Sequence, residues 1–417
     1  MRRLPLLRRR PLRAAALRSL LLGACVLVGA APPPAGAQAV AASPSPALSL
    51  PARLADSTYW RLMRELSEPG GWFRSENLVS NETSLQWVIP ELARRVRPGG
   101  VYLGVAPDQN FTYITALQPS IAFIVDIRHQ NAMQHLMYKA LVEMSASRAE
   151  FLARLFSRAP LAGVDTASSA AQLFDAVVAL PADSVRHRQN LQAVLDRLTR
   201  VHRFELSESE RASLACVYGA FFQQGPDLTY SHSSECQDTT VSAFMGAGGA
   251  FRGGFRMPTY RAMLTESDSA GVNWSYLGSE QRYRTLRAMQ ERNLIVPLTG
   301  DFAGPKALRA VGAWVAAHGA RVTTFYVSNV EQYLYQQGDA ARRFYENVAT
   351  LPIDSTSTFV RSFSGGRFMG IDSPLALKPQ SAAGRSLQLF SPIDETLRAF
   401  TQGRLVSWLD VIRISRQ

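Results

Sequence analysis

Lysine is nearly absent: Lys139, Lys306 and Lys378 are the only three among 45 basic residues, a bias that reads as high-GC coding and not as a binding function. Cysteine is scarce, with Cys25, Cys216 and Cys236 alone in 417 residues, and the six histidines, His129, His135, His187, His202, His232 and His318, are scattered. No CxxC, HExxH or comparable His pair accompanies them, so the familiar zinc frameworks are excluded and no metal is expected. The chain also lacks GxGxxG, a Walker turn and a Gly-x-Ser-x-Gly elbow, which removes the dinucleotide, P-loop and nucleophile-elbow readings. Finally, no Asp or Glu precedes Asp56.

That last absence locates the charge. Of the formal +12, seven units come from Arg2, Arg3, Arg8, Arg9, Arg10, Arg13 and Arg18, leaving +5 for the rest. A surplus of that size over a long chain is an ordinary solvated surface, and no nucleic-acid partner is expected. Behind the arginines lie an apolar run over residues 19–31 and a Pro-rich stretch ending in Ala35-Gly36-Ala37 and Ala37-Gln38-Ala39, both small-x-small cleavage patterns. The run is shorter than the ~20 apolar residues of a spanning helix. Residues 1–39 therefore read as an export signal that is removed, with an uncleaved anchor as the alternative and the only route to a membrane. The expected destination is periplasmic or extracellular. Residues 40–56 open with an Ala/Ser/Pro stretch and read as a disordered linker. In an oxidising compartment Cys216 and Cys236 are expected to form a disulfide, two free thiols being the alternative.

With 47% hydrophobic residues the remainder can bury a large core. Its organising stretch starts at Gly99-Gly100. Residues 101–105 are a short apolar run of the kind a buried parallel strand needs, residues 111–117 have helical spacing, and residues 121–125 form a second buried run ending on Asp126. Strand, turn, helix and strand make one βαβ unit. A second follows later: a strand over 294–298, a turn over 299–304, a helix over 305–318 opened by Pro305, a strand over 321–327, and a turn and helix start over 328–333. A further strand is expected near 358–363 and a helix near 393–400. Between the two units, residues 147–293 read as helical with interruptions, and Ser207 to Glu210 has the look of a helix start. The stretch from Ala247 to Gly254 reads as a mobile glycine-rich loop. The predicted fold is α/β: a doubly wound, mostly parallel, Rossmann-like sheet over residues 57–417 with a large helical insertion.

In such a sheet, ligands sit outside the carboxyl ends of the strands. Four polar turns are expected to gather there: Gly104 with Asp108, Gln109 and Asn110; Asp126 with Arg128 and His129; Asp301; and Asn329 with Glu331. These are the candidate ligand-binding residues. Each has a structural alternative, since Asp301 and Asn329 are also natural helix caps.

The segments GVYLGVAPDQNFTYI, IAFIVDIR, NLIVPLTGDFAG and FYVSNVEQYLY resemble those of an uncharacterised bacterial protein family, a domain of unknown function, over most of the chain after the leader. More loosely, the first unit resembles the opening of class I S-adenosylmethionine-dependent methyltransferases. That likeness implies a cofactor whose amino-acid end lies against Gly104 and whose ribose hydroxyls meet Asp126. Here Val105, Ala106 and Pro107 stand where those enzymes have further glycines. The functional expectation is an exported small-molecule-binding protein of methyltransferase-like architecture, with S-adenosylmethionine-dependent methyl transfer as the activity the resemblance implies. The alternative is a catalytically inactive exported scaffold whose crevice serves interaction. The leader yields a direct prediction: the exported chain begins at Gln38 or Val40, which N-terminal sequencing or intact mass of the exported protein checks.

Overall fold

In a computed structural model, residues 49–73, 75–230, 236, 257–363 and 386–416 are described. The leader, the linker up to residue 48, His232 and the 247–254 loop lie outside those residues. The apolar runs that punctuate the sequence become strands with every residue buried, or all but the last: β1 Val101–Gly104, β2 Ile121–Asp126, β3 Ile295–Thr299, β4 Val322–Ser328, β5 Thr358–Phe363 and β6 Leu387–Pro392. They form one six-stranded sheet in the order β3-β2-β1-β4-β5-β6. The first five are parallel and β6 runs antiparallel to β5. Burial on both faces is what a parallel sheet with crossover helices requires, and it is why the strands read as apolar runs without alternation. The order reverses between β1 and β4, so the switch point of this doubly wound, Rossmann-like sheet lies at their carboxyl ends.

Two helices precede the sheet, α1 Asp56–Leu66 and α2 Ile89–Arg95. Helix α2 starts no earlier than Ile89 because Pro90 is tolerated only in a first turn. Helix α3 Gln109–Leu117 crosses from β1 to β2. Between β2 and β3, every described element is helical: α4 His129–Glu143, α5 Arg148–Leu155, α6 Ala170–Val178, α7 Ser184–Asp196 with a π turn after it, α8 Glu208–Gln224, a 3-10 turn over Gly225–Asp227, α9 Tyr260–Thr265 and α10 Glu280–Glu291. The Ser207 start is a full capping box: the Ser207 hydroxyl accepts from the Glu210 amide, and the Glu210 carboxylate accepts from the Ser207 amide. After β3 come α11 Ala307–Ala317, α12 Val330–Leu334, α13 Ala340–Val348, α14 Ile393–Thr401 and α15 Trp408–Ile414. Pro305 lies two residues before the helix it was expected to open.

Helix α4 is the hub of this arrangement. It packs on β2 and β3 on one side and on α8 and α10 on the other, so nearly every residue is buried and no polar face remains. Its buried Lys139 ammonium donates to Glu143 (2.6 Å) and to the Gln290 carbonyl (2.6 Å). His202 Nε2 (2.7 Å) and Arg197 Nε (2.9 Å) complete the shell around the other Glu143 oxygen. Burial raises the Glu143 carboxyl, but the His202 bond and the Lys139 charge outweigh it and bring the group down to about 2. One of the three lysines is thus a structural ion clamped inside the core.

Three differences from the sequence reading have plain causes. The end of the linker is held, not loose: Leu54 is buried and its amide donates to the Arg292 carbonyl (3.0 Å). Strand β6 escapes notice because only its pairing with β5 makes a strand of Leu387–Pro392. Helix α13, absent from the sequence expectation, carries a strong apolar stripe at helical spacing, Ala340, Ala341, Phe344 and Val348. The disulfide is present: Cys216 on α8 is bonded to Cys236, 20 residues on. Unreduced, denatured, leaderless protein is therefore expected to offer no alkylatable thiol, and the Cys216→Ser/Cys236→Ser double variant is expected to lose roughly 3 kcal/mol in urea unfolding.

Candidate functional site

The turn after β1 closes on itself. Asn110, in the first turn of α3, folds its amide back so that Nδ2 donates to the carbonyls of Val105 (2.8 Å), Ala106 (3.0 Å) and Pro107 (2.7 Å). The Tyr102 hydroxyl donates to Asn110 Oδ1 (2.9 Å). A Cβ on Gly104 would lie 2.0 Å from that Oδ1, so the glycine is required to admit the chain's own asparagine. Ala106 takes φ 70°, a left-handed conformation that costs a non-glycine residue strain and is held here by the Asn110 bonds. The neighbours are partly engaged: Gln109 Nε2 donates to the Tyr326 hydroxyl (3.2 Å) while its Oε1 is buried without a partner among the described residues, and Asp108 accepts from the Tyr276 hydroxyl (3.0 Å) while burial lifts its carboxyl to about 7. His135 Nε2 meets the Ala106 carbonyl (3.0 Å), and burial pulls the ring down to about 4, so it is neutral.

Asp126 ends β2 with both carboxylate oxygens taken. Arg128 Nε (3.0 Å) and its own amide (2.9 Å) reach Oδ1, and Nη2 reaches Oδ2 (2.8 Å), with both side chains buried. Arg128 Nη1 goes on to donate to the Glu76 carbonyl. That carbonyl belongs to a strap, residues 67–73 and 75–88, which crosses the strand ends in turn. The Glu68 amide donates to the Thr299 carbonyl at β3 (3.0 Å) and the Gly71 amide to the Ile127 carbonyl beyond β2 (2.7 Å). Gln134 Nε2 donates to the Leu78 carbonyl (2.6 Å) and the Tyr113 hydroxyl to the Leu85 carbonyl (3.0 Å). Glu82 accepts from Ser328 at the end of β4 and from Gln388 on β6 (3.2 Å). Burial raises the Glu82 carboxyl against the hydrogen bonds from Ser328, Tyr326, Gln388 and Ser362 that lower it.

The resemblance to methyltransferases can be tested on this geometry. A cofactor's amino-acid end would need the space that Asn110 fills beside Gly104, and its ribose would need the oxygens of Asp126 that Arg128 holds. The residues present do not fit S-adenosylmethionine at that position, and no step is derived through it.

Open space survives one strand further along. A cleft of about 330 Å³ at the carboxyl ends of β2 and β3 is lined by Met63, Arg64, Ser67, Glu68, Pro69, Gly70, His129, Thr299 and Lys306. His129, the first residue of α4, spans it: Nδ1 meets Thr299 Oγ1 (2.8 Å) and Nε2 meets Glu210 Oε1 (3.0 Å). Arg64 Nη1 also reaches Glu210 Oε1 (2.7 Å). Burial pushes the Glu210 carboxyl up, but the His129 and Ser207 bonds and the Arg64 charge win and hold it at about 2. Lys306 Nζ donates to the Ser67 carbonyl (2.6 Å). A larger hollow of about 430 Å³, lined by Gly99, Gly100, Ser120 and Arg321 among others, lies at the amino ends of the strands, the edge where this architecture does not place ligands.

Of the candidate residues, the structure gathers Gly104, Asp108, Gln109 and Asn110 in one closed turn, and Asp126, Arg128 and His129 beside it. Asp301 does not line the cleft; its amide donates to Glu68 Oε1 (2.9 Å), and its carboxylate accepts from the Ala303 amide (2.9 Å). Asn329 precedes α12 without capping it through its side chain. Glu331 sits apart in a buried ion pair with Arg361 (2.5 Å) and accepts from the Tyr345 hydroxyl (2.6 Å). Sequence reasoning missed Arg64, Glu68, Glu82, Glu210 and Thr299. Glu210 was visible only as part of a helix start, and nothing local joins it to His129, 81 positions away.

The profile of the family described as Domain of unknown function (DUF7790) matches residues 77–204 and 229–394 of the chain. No curated protein matches it. The strap and Asp126 yield a prediction: Asp126→Asn leaves the Arg128 charge buried without its counter-ion, so it is expected to cost about 3 kcal/mol in urea unfolding without any ligand. An unchanged midpoint would show that the carboxylate is not holding the strap.

Proposed function

The chain belongs to the DUF7790 family, and from that premise, which carries no activity, we propose that it is an exported protein that binds a small organic anion in the cleft between α1, the β3 turn and the start of α4. The observation that carries this reading is the cleft's position and lining together. It opens at the carboxyl ends of parallel strands, where doubly wound sheets bind ligands, and Arg64, Lys306 and the amino end of the 15-residue α4 meet there. An ammonium has three donors, and Ser67 takes one of those on Lys306. The sheet is Rossmann-like; methyl transfer would need Asn110 and Arg128 to vacate their places and is not part of the reading.

Export is supported by the Arg-rich leader and by the Cys216–Cys236 bond, which persists in oxidising compartments. Among the described residues no helix is long and apolar enough to cross a membrane.

Thermal-shift and calorimetric titration of the mature chain test the binding. Succinate and 4-acetamidobenzoate are expected to give saturable stabilisation approaching ~2.7 kcal/mol at about 100 times their dissociation constants. Neutral succinamide is expected to give none, and Lys306→Ala is expected to weaken the response. A flat response to every anion would favour the scaffold reading, in which the strapped edge serves interaction alone.

A further inference from the structure

Glu210, His129 and Thr299 form an unbroken line of hydrogen bonds with one end in the protein and the other on the cleft. Proton positions along it follow from what each group can do. Glu210 is ionised and can only accept, so His129 Nε2 must carry the hydrogen on that side. In the neutral ring Nδ1 is then a bare acceptor, and Thr299 Oγ1, 2.8 Å away, must be the donor. A hydroxyl thus points its proton at a base whose other nitrogen is oriented by a carboxylate. That is the arrangement of an activated nucleophile, and it is recognised by geometry and roles, whatever the order of the residues in the chain.

The supports are rigid. Glu210 is held from three sides, by His129, by Arg64 and by the Ser207 amide (2.8 Å). Thr299 is the last residue of the edge strand β3, and its backbone is held: its amide donates to Ser67 Oγ (3.0 Å), and its carbonyl accepts from the Glu68 amide (3.0 Å). The His129 side chain is 40% exposed, and both it and Thr299 line the cleft. Gly70 of the strap passes directly over the pair: a Cβ there would sit 3.4 Å from His129 Cβ and from Thr299 Cγ2, and 3.5 Å from the His129 amide. That amide belongs to the first turn of α4, where the helix dipole favours negative charge; of the same turn, the Asn131 amide is already taken by the Arg128 carbonyl (3.1 Å).

We propose that this cleft hydrolyses small carboxylic esters that carry a negative charge, with Thr299 as nucleophile, His129 as general base and acid, and Glu210 as the residue that positions the ring. The proposal rests on the reading of the cleft as an anion-binding site. Thr299 Oγ attacks the ester carbonyl carbon as its proton passes to His129 Nδ1, and the carbonyl electron pair moves onto oxygen beside the first-turn amides of α4. The C–O bond to the leaving alcohol then breaks, and the alkoxide takes the proton from His129. Water opens the acyl-Thr299 ester by the same route, giving its proton to His129 and releasing the acid. Ester and water become acid and alcohol with no other reactant. Lys306 and Arg64 on the cleft wall select a charged substrate, and the modest volume selects a small one.

The test uses the mature, disulfide-bonded chain with 4-acetoxybenzoate as substrate, its neutral methyl ester as control, and the amide analogue 4-acetamidobenzoate as a binding probe. Expected are saturable release of 4-hydroxybenzoate, preference for the charged ester, and an acetyl adduct on Thr299 in quenched samples. Thr299→Val and His129→Gln should lower kcat by at least about 10²-fold, while Thr299→Ser, which keeps the hydroxyl, retains turnover. Glu210→Gln should lower kcat with KM unchanged, since it frees the ring to take the wrong tautomer without touching the substrate. If 4-acetamidobenzoate binds but 4-acetoxybenzoate turns over no faster than in buffer, or if Thr299→Val hydrolyses it as fast as the parent, the catalytic inference is overturned and the binding reading stands. Absence of both binding and turnover overturns the two together.

Discussion

The guanidinium of Arg128 is the constraint on which the carboxyl edge depends. A parallel sheet covered on both faces ends in a row of turns, and their polar groups must be satisfied largely without water. Arg128 does this for β2 by taking both oxygens of Asp126, and its remaining arm ties the Glu76 carbonyl of the strap over the top. Removing either charge would leave the other buried and unpaired, which costs far more than the pair itself contributes. The strap in turn supplies acceptors to β3, α4, α3 and β4, so one guanidinium organises the whole face through a segment that precedes the sheet in sequence.

That solution decides where chemistry can occur. Around β1 many polar groups are spent on one another: Asn110 on the turn carbonyls, Asp108 on Tyr276, Gln109 Nε2 on Tyr326, and Glu82 on Ser328 and Gln388, while Gln109 Oε1 and His135 Nδ1 are buried without a partner among the described residues. At β3 the strap enters through Pro69 and Gly70 without side chains that could fill the space, and a cleft remains. The same edge therefore has a sealed part and an open part, and the open part holds the ring of His129 between a hydroxyl and an ionised carboxylate.

The helical insertion is more than an ornament on this core, because it supplies the carboxylate. Helix α8 carries Glu210 to the cleft, and the position of α8 is set by α4, the helix it shares with the sheet. The Lys139–Glu143–His202–Arg197 cluster fastens the far end of α4 to the π turn before α8. A shift of that cluster would be felt at His129 through one rigid helix.

Much was legible along the chain because it is local. The burial of β1, β2 and β3, the βαβ order, the helical character of the described residues between Asp126 and Ile295, the Ser207 cap and the pairing of two cysteines all follow from periodicity, capping chemistry and cysteine count, each read within a short window. The clustering of Asp126, Arg128 and His129 followed from topology. What those residues bond to did not: Arg128 meets a carbonyl 52 positions away, His129 a carboxylate 81 away and a hydroxyl 170 away. Periodicity reports which face of an element is buried, but a hydrogen bond between distant side chains depends on how whole elements are placed. Thus the sequence by itself determined five of the six strands, most of the helices and the edge at which the polar turns gather, whereas only the tertiary structure decided that Asn110 and the strap fill the switch point and that Thr299, His129 and Glu210 meet in one line of hydrogen bonds beside the open cleft.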